Sequence, residues 1–170
     1  MLISALFCTL ISFRVANWIV HDTGSFRIEF PSGPKTDSQF VETALGNMTM
    51  HIAMQEFSGE DGNFLFGAIS SKYPESMIHS DKKDIIDQFF DGSVEGVVSN
   101  VKGKLISDNK TELHGFPGRD IKVDFQDGLA VIRCRIYLVR NELIMIQSIT
   151  TPDKQDNDGV RKFHDSFKLK

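Results

Sequence analysis

The adjacent residues His164-Asp165-Ser166 and His79-Ser80-Asp81 hold the side-chain types of a nucleophilic relay, in which a base takes the proton of a hydroxyl and an acid orients the base. Neighbours one and two apart on a helix point in different directions, so the first set cannot form a relay by itself. The second set stands just before a run of helical apolar period, where Ser80 reads as an N-cap. The loop Lys154-Gln155-Asp156-Asn157-Asp158-Gly159 spaces its carboxylates as a calcium loop does, with Asp165 at the closing position. Lys154 stands where the first ligand belongs and Asp165 is shorter than a bidentate Glu. The loop therefore reads as acidic residues at the positive end of a helix. The five histidines, His21, His51, His79, His114 and His164, include no pair at i, i+2 or i+4, so a zinc site could arise only through folding. Glu42 and His51 read as cross-strand neighbours, an acid–base pair in composition and an exposed sheet pair in character.

Arg133, Arg135 and Tyr137 share one face of a strand whose other face is apolar from Ala130 to Leu138. They are the candidate ligand-binding residues. Pairing of Arg135 with Asp120, and of Arg133 diagonally with Asp124, is the structural reading of the same stripe. Gly115-Phe116-Pro117-Gly118 reads as a turn that uses the glycines at positive φ, with a binding loop as the functional alternative. Gly103-Lys104 is not a phosphate loop: Val98 stands where the first glycine belongs and Leu105 where a hydroxyl would meet magnesium. Neither G-x-G-x-x-G nor G-x-S-x-G occurs, so no cofactor, metal or catalytic residue is expected. Cys8 and Cys134 form no redox motif and read as free thiols.

The elements that must position these residues are legible from their periods. Phe26, Ile28 and Phe30 alternate with charged residues and stop at Pro31-Ser32-Gly33-Pro34. Two strands, Gln39 to Leu45 and Met48 to Phe57, flank Gly46-Asn47, a two-residue hairpin signal that places Val41 opposite Ile52, Thr43 opposite Met50 and Glu42 opposite His51. Phe64 to Tyr73 follows. From Ser80 to Val101 the period becomes 3.6, with Ile85, Ile86, Phe89, Phe90, Val94, Val97 and Val98 on one stripe. Strands return at Gly103 to Ser107 and Arg119 to Phe125, then turn at Asp127-Gly128 into Leu129 to Val139. After Arg140-Asn141 the last of them is Glu142 to Thr151. The Asp127-Gly128 turn sets Ile121, Val123 and Phe125 opposite Cys134, Ile132 and Ala130. Val160, Phe163 and Phe167 mark a closing helix that begins at Asp156 and Asp158 and ends at Lys168 and Lys170. Short hairpins imply an antiparallel sheet. Val131, Tyr137, Ile144 and Ile146 make its second face apolar too, so helices are expected on both faces: an α+β chain, arranged as an α/β/α sandwich.

The chain of 170 residues carries a net charge of −4, is 41% hydrophobic and 25% charged, and holds fourteen Phe. That is a globular composition without the concentrated basic surface a nucleic acid partner requires. No repeat or low-complexity tract divides it, so residues 17–170 read as one domain. Residues 1–16 begin with twelve uncharged positions, MLISALFCTLIS, too short to span a bilayer. They read as an export signal or an N-terminal extension. No cation precedes the run, Arg14 occupies a cleavage-site position that wants a small residue, and Phe7 precedes Cys8 where lipid attachment would also want one. Export places the mature domain outside the cytoplasm, periplasmic or secreted, with no membrane span.

Three stretches, GSFRIEFPSGPK at 24–35, HGFPGRDIKVDF at 114–125 running into RIYLVRNELIMI at 135–146, and FHDSFKL at 163–169, resemble the PsbP-like superfamily. This is the α/β/α sandwich shared by the photosystem II extrinsic protein, the Ran-binding Mog protein and small bacterial envelope proteins. The resemblance implies a non-catalytic scaffold that binds another protein in the bacterial envelope. It also admits a chaperone-like carrier of apolar segments or ligands, to which six Met and fourteen Phe are suited. An enzyme whose site is assembled by long-range contacts would leave no local motif and is the remaining class.

Overall fold

The structure, a computed structural model, describes residues 17–43 and 46–170. Its elements run β1 (Ile19–Asp22), β2 (Phe26–Phe30), β3 (Lys35–Thr43), β4 (Gly46–Glu56), β5 (Asn63–Lys72), α1 (Lys83–Asn100), β6 (Lys104–Leu113), β7 (Phe116–Phe125), β8 (Ala130–Val139), β9 (Glu142–Thr150), α2 (Asp158–Asp165) and β10 (Lys168–Leu169). Seven strands form a sheet in the order β3-β4-β5-β9-β8-β7-β6, and β1-β2-β10 form a smaller one. Every pairing between described strands is antiparallel.

Alternation along the late strands divides their side chains between two cores. On one face Phe90 and Val94 of α1 pack with Ile121, Val123, Ile132, Cys134, Ile136 and Leu138. On the other, Val160 and Phe163 of α2 join Phe26, Ile28 and Phe30 of β2 over Ala53, Phe66, Ala68, Ile144 and Ile146. The Phe163 ring stacks on Phe66 at 4.7 Å between centroids and meets Phe30 at 5.2 Å. The result is the expected α/β/α sandwich around an antiparallel sheet. The second face, however, is covered by a three-stranded sheet as well as a helix.

Several local expectations are corrected. The β3–β4 hairpin pairs Val41 with Met48, Glu42 with Asn47 and Thr43 with Gly46, so its tip falls at 44–45, outside the described residues. Each partner is four residues from the expected one, an even slip that leaves every side chain on its own face. Hydrophobic patterning discriminates only slips of one residue. At the β7–β8 hairpin the expected pairs hold, including Ile121 with Cys134 and Asp120 with Arg135, but the loop is wider. Gln126, Asp127 and Gly128 all have positive φ there, and Asp124 accepts the Gly128 N–H at 2.8 Å. The turn of β6 into β7 is His114-Gly115, both at positive φ, and Phe116-Pro117-Gly118 already belongs to β7. Gly118 is needed for close approach, since a Cβ there would lie 2.5 Å from the Ile136 carbonyl oxygen.

Ser80 does not cap α1. Its N–H is spent on the carbonyl of Arg140, and the helix starts behind Lys82 with no side-chain cap. The last helix is shorter than its period suggested. Asn157 caps it by accepting the Val160 N–H at 2.9 Å, and it ends at Asp165. Phe167 lies beyond it, and Lys168 and Leu169 pair with Arg27 and Phe26 of β2.

Candidate functional site

The candidate stripe on β8 divides in two. Arg133 donates from Nε and Nη2 to the two carboxylate oxygens of Asp120, at 3.1 and 2.7 Å, and Arg135 donates from Nε to the same carboxylate at 3.3 Å. Both arginines thus face Asp120, and Arg133 does not turn to Asp124 as the diagonal reading had it. Asp120 lies opposite Arg135 and is the diagonal neighbour of Arg133, two residues along β7 from Arg133's partner Lys122, so a single carboxylate serves both. Burial alone would raise the Asp120 pKa, but the hydrogen bonds and charges of the two arginines outweigh it and hold the carboxyl below its usual range. Arg135 also reaches the His164 carbonyl and Asp165, while Asp156 approaches Arg133 at 3.7 Å. Tyr137 does not join them. It is buried in the core, its ring parallel to Phe167 at 5.8 Å.

Folding brings Ser148 and His164 together beneath this cluster, with the Ser148 hydroxyl 3.0 Å from His164 Nε2. A hydroxyl and an imidazole at that distance are the first two members of a relay, yet each residue is only 2% exposed. His164 Nδ1 has no hydrogen-bond partner, and Asp120 is committed to the arginines. Burial, reinforced by the two arginine charges, lowers the His164 pKa to about 3, so the imidazole is neutral at ordinary pH. The pair satisfies polar groups inside the sandwich and offers a substrate no entry. Cys134 is likewise buried, its thiol pushed up to about 12 by desolvation, while Cys8 lies outside the described residues.

The concave surface lies elsewhere. A cleft of about 570 Å³ opens between the β1–β2 end of the small sheet and the face of β3, β4 and β5. That volume is typical of ligand clefts. Its floor follows from register: Ser38 pairs with His51 and His51 with Ser70, so three polar side chains form one row across three strands. Ser38 Oγ lies 3.0 Å from His51 Nδ1. The next row outward holds Phe40 opposite Thr49, and the Phe40 side chain is 67% exposed. Phe26, Ala53 and Ala68 form the buried end, and His21 of β1 stands on the opposite wall with its pKa lowered by burial against the weaker pull of Asp22. The Glu42–His51 pairing expected from sequence is replaced by Ser38–His51. Lys72 faces Glu142 at 4.0 Å at the inner edge.

Sequence reasoning missed this cleft because its histidines are thirty residues apart and on different sheets. One signal was present: Ser70-Ser71 interrupts an otherwise apolar strand, and Thr36, Ser38, Thr49 and His51 place polar groups at alternate positions of two neighbouring strands. A smaller cleft of about 490 Å³, lined by Tyr73, Met77, Ile78, Ile85 and Phe89, lies beside α1 and is apolar.

Comparison with solved structures bears on the architecture. The solution structure of CyanoP, the cyanobacterial PsbP of Synechocystis sp. PCC 6803, aligns over 96% of this chain and 99% of that chain, with a TM-score of 0.57 and 14% identity. The chain has the PsbP fold. A Pseudomonas aeruginosa protein of unknown function aligns over 81% of this chain and 85% of its own at 13% identity, with a TM-score of 0.36. No known family and no curated protein matches the sequence. At 14% identity the likeness to CyanoP speaks for the layers and strand order, and the site must be argued from its own residues. No helix among the described residues is long and apolar enough to cross a membrane, and no three His, Cys, Asp or Glu side chains among them could hold a metal ion together.

Proposed function

We propose that this PsbP-fold domain is a non-catalytic module that binds another protein in the bacterial cell envelope, after residues 1–16 have directed its export. The observation that carries the reading is an exposed apolar corner. Leu105 and Ile106 of the edge strand β6 and Leu129 of the β7–β8 loop are 46%, 54% and 55% exposed, at the end of the sheet where Lys104 meets Asp127. Large aliphatic side chains in water, rimmed by charge, gain about 25 cal/mol per Å² when a partner covers them. The β6–β7 register shifts between Leu105 and Ser107, and such a bulge discourages plain strand addition. The corner is therefore suited to side-chain docking of a shaped protein surface. The shared fold with CyanoP is consistent with a scaffold role, and the charged face around Asp120 is neutralised internally.

A photo-crosslinking residue placed at Ile106, and separately at Leu129, tests this in cells of the native organism. One discrete covalent adduct with the same protein from both positions is expected, absent when the probe is at exposed Glu60. No adduct at either position, or the same adduct from Glu60, overturns the reading. A carrier of apolar segments is the second reading, favoured by the apolar cleft of Tyr73, Met77, Ile78, Ile85 and Phe89. In that case adducts would come from a probe at Met77 and not from Ile106.

A further inference from the structure

The polar row Ser38–His51–Ser70 occupies a sheet face that continues, along β5 and onto the next strand β9, as the apolar core of Ala68, Ile144 and Ile146. A face turned toward a second layer is ordinarily apolar, and here it changes character where the second layer stops and the cleft begins. We propose that this cleft binds a neutral, polyhydroxylated ligand of the saccharide class. Phe40 is its stacking platform, and Ser38, His51, Thr49 and Ser70 are its hydrogen-bonding floor.

The chemistry of the lining selects that class over its rivals. An anion would need an unmatched cation, but the lining holds no arginine and Lys72 already faces Glu142. A cation would need an unmatched carboxylate. Asp37 is engaged by the Ser38 N–H at 2.8 Å and by Gln39 Nε2 at 3.4 Å, and Glu142 answers Lys72. An apolar ligand would leave the hydroxyls of the floor without water or partners, an unfavourable burial.

A saccharide meets each feature with its complement. Hydroxyls both donate and accept, so they match the hydroxyls of Ser and Thr and the ring nitrogens of His. Ser38 holds His51 through Nδ1, which leaves Nε2 as the ring nitrogen turned to a ligand. The C–H face of a pyranose carries the partial positive charge that the negative face of an aromatic ring attracts. Phe40 is a large aromatic at the rim, 67% exposed, on an edge strand where burial in the core cannot explain it. The cleft adjoins the β3 edge of the large sheet, whereas the proposed protein-binding corner is at the β6 edge, so this inference does not rest on that reading.

The test is a two-dimensional NMR titration of the full chain with maltotriose, with N,N′,N″-triacetylchitotriose and with inorganic phosphate, each to about 10 mM, ten times a Kd of about 1 mM. One of the two neutral trisaccharides is expected to shift the amides of residues 36–40, 49–53 and 68–71 with saturation, and phosphate is expected to leave them in place. Phe40→Ala and His51→Ala, both at exposed positions, are expected to weaken binding at least tenfold while the remaining amides keep their shifts. Unmoved cleft amides with both trisaccharides, displacement by phosphate instead, or unchanged affinity in both variants would each overturn the proposal.

Discussion

Burying an imidazole in the neutral state links His164 to acid stability. Its pKa is about 3 in the fold against 6.5 in the unfolded chain, so below pH 6.5 the unfolded state binds a proton that the folded state refuses. Stability therefore falls as pH drops from 6.5 toward 3, by about 1.4 kcal/mol for each unit separating the two values. Asp120 adds to the loss only at the acid end: its folded pKa is depressed, and its contribution disappears as pH falls through that lowered value. Urea midpoints of the wild type should decline between pH 6.5 and 4. Those of a His164→Leu, Ser148→Ala double variant, which removes the titrating ring and its hydroxyl partner together, should decline distinctly less over that interval, the remaining slope being the smaller one of half-buried His21. Parallel decline in the two proteins would show that other groups set the acid limit. The pairing itself was invisible in the chain, because Ser148 and His164 are brought together only by the seating of α2 on β9.

At the scale of elements, α1 rests on one face of the sheet chiefly through Phe90, which is 1% exposed, and Val94. Phe90 also lies beneath the Arg119 guanidinium, 6.0 Å from ring centre to Cζ, and that guanidinium bonds Asp91 and Asp108. Phe90→Ala should cost about 3–5 kcal/mol in denaturant unfolding. Phe89, half-buried against Tyr73 at the mouth of the apolar cleft, should cost distinctly less. Equal losses would mean that the helix is rotated from the position described.

This helix, and the β7–β8–β9 meander beneath it, could be read directly because the helix holds its 3.6 period over five turns and the strands are long and joined by short turns. The β3–β4 wing could not be placed in register, since an even slip preserves the facing of every side chain. The Asp120 cluster was half legible: strand pairing set Asp120 opposite Arg135, but side-chain reach decided that Arg133 would also choose it. The small sheet was least legible. Its outer strands have four and two residues, too few for a period to declare itself.

For the molecule as a whole, the α2-side core is closed by its two ends. Phe167, seven residues past the start of α2's buried stripe at Val160, stacks on Tyr137 and meets Phe26 at 5.4 Å, while Leu169 pairs with Phe26 in the sheet. Phe167→Ala should cost roughly 3–5 kcal/mol, a large share of the 5–15 kcal/mol that stabilises an ordinary domain. Calorimetry should show a single transition at lower temperature. An unchanged transition would show that the C-terminal segment is an ornament to a core already complete.

That closure also sets a timetable. A ribosome adding about 5–20 residues per second needs roughly 7–28 s to travel from β2 to the last strand. Throughout that interval Phe26, Ile28 and Phe30 have been synthesised and the segment that seals them has not. The nascent polypeptide cannot finish this layer before Lys168 and Leu169 have been made, and until then it stays threadable to any machinery that handles unfolded chains.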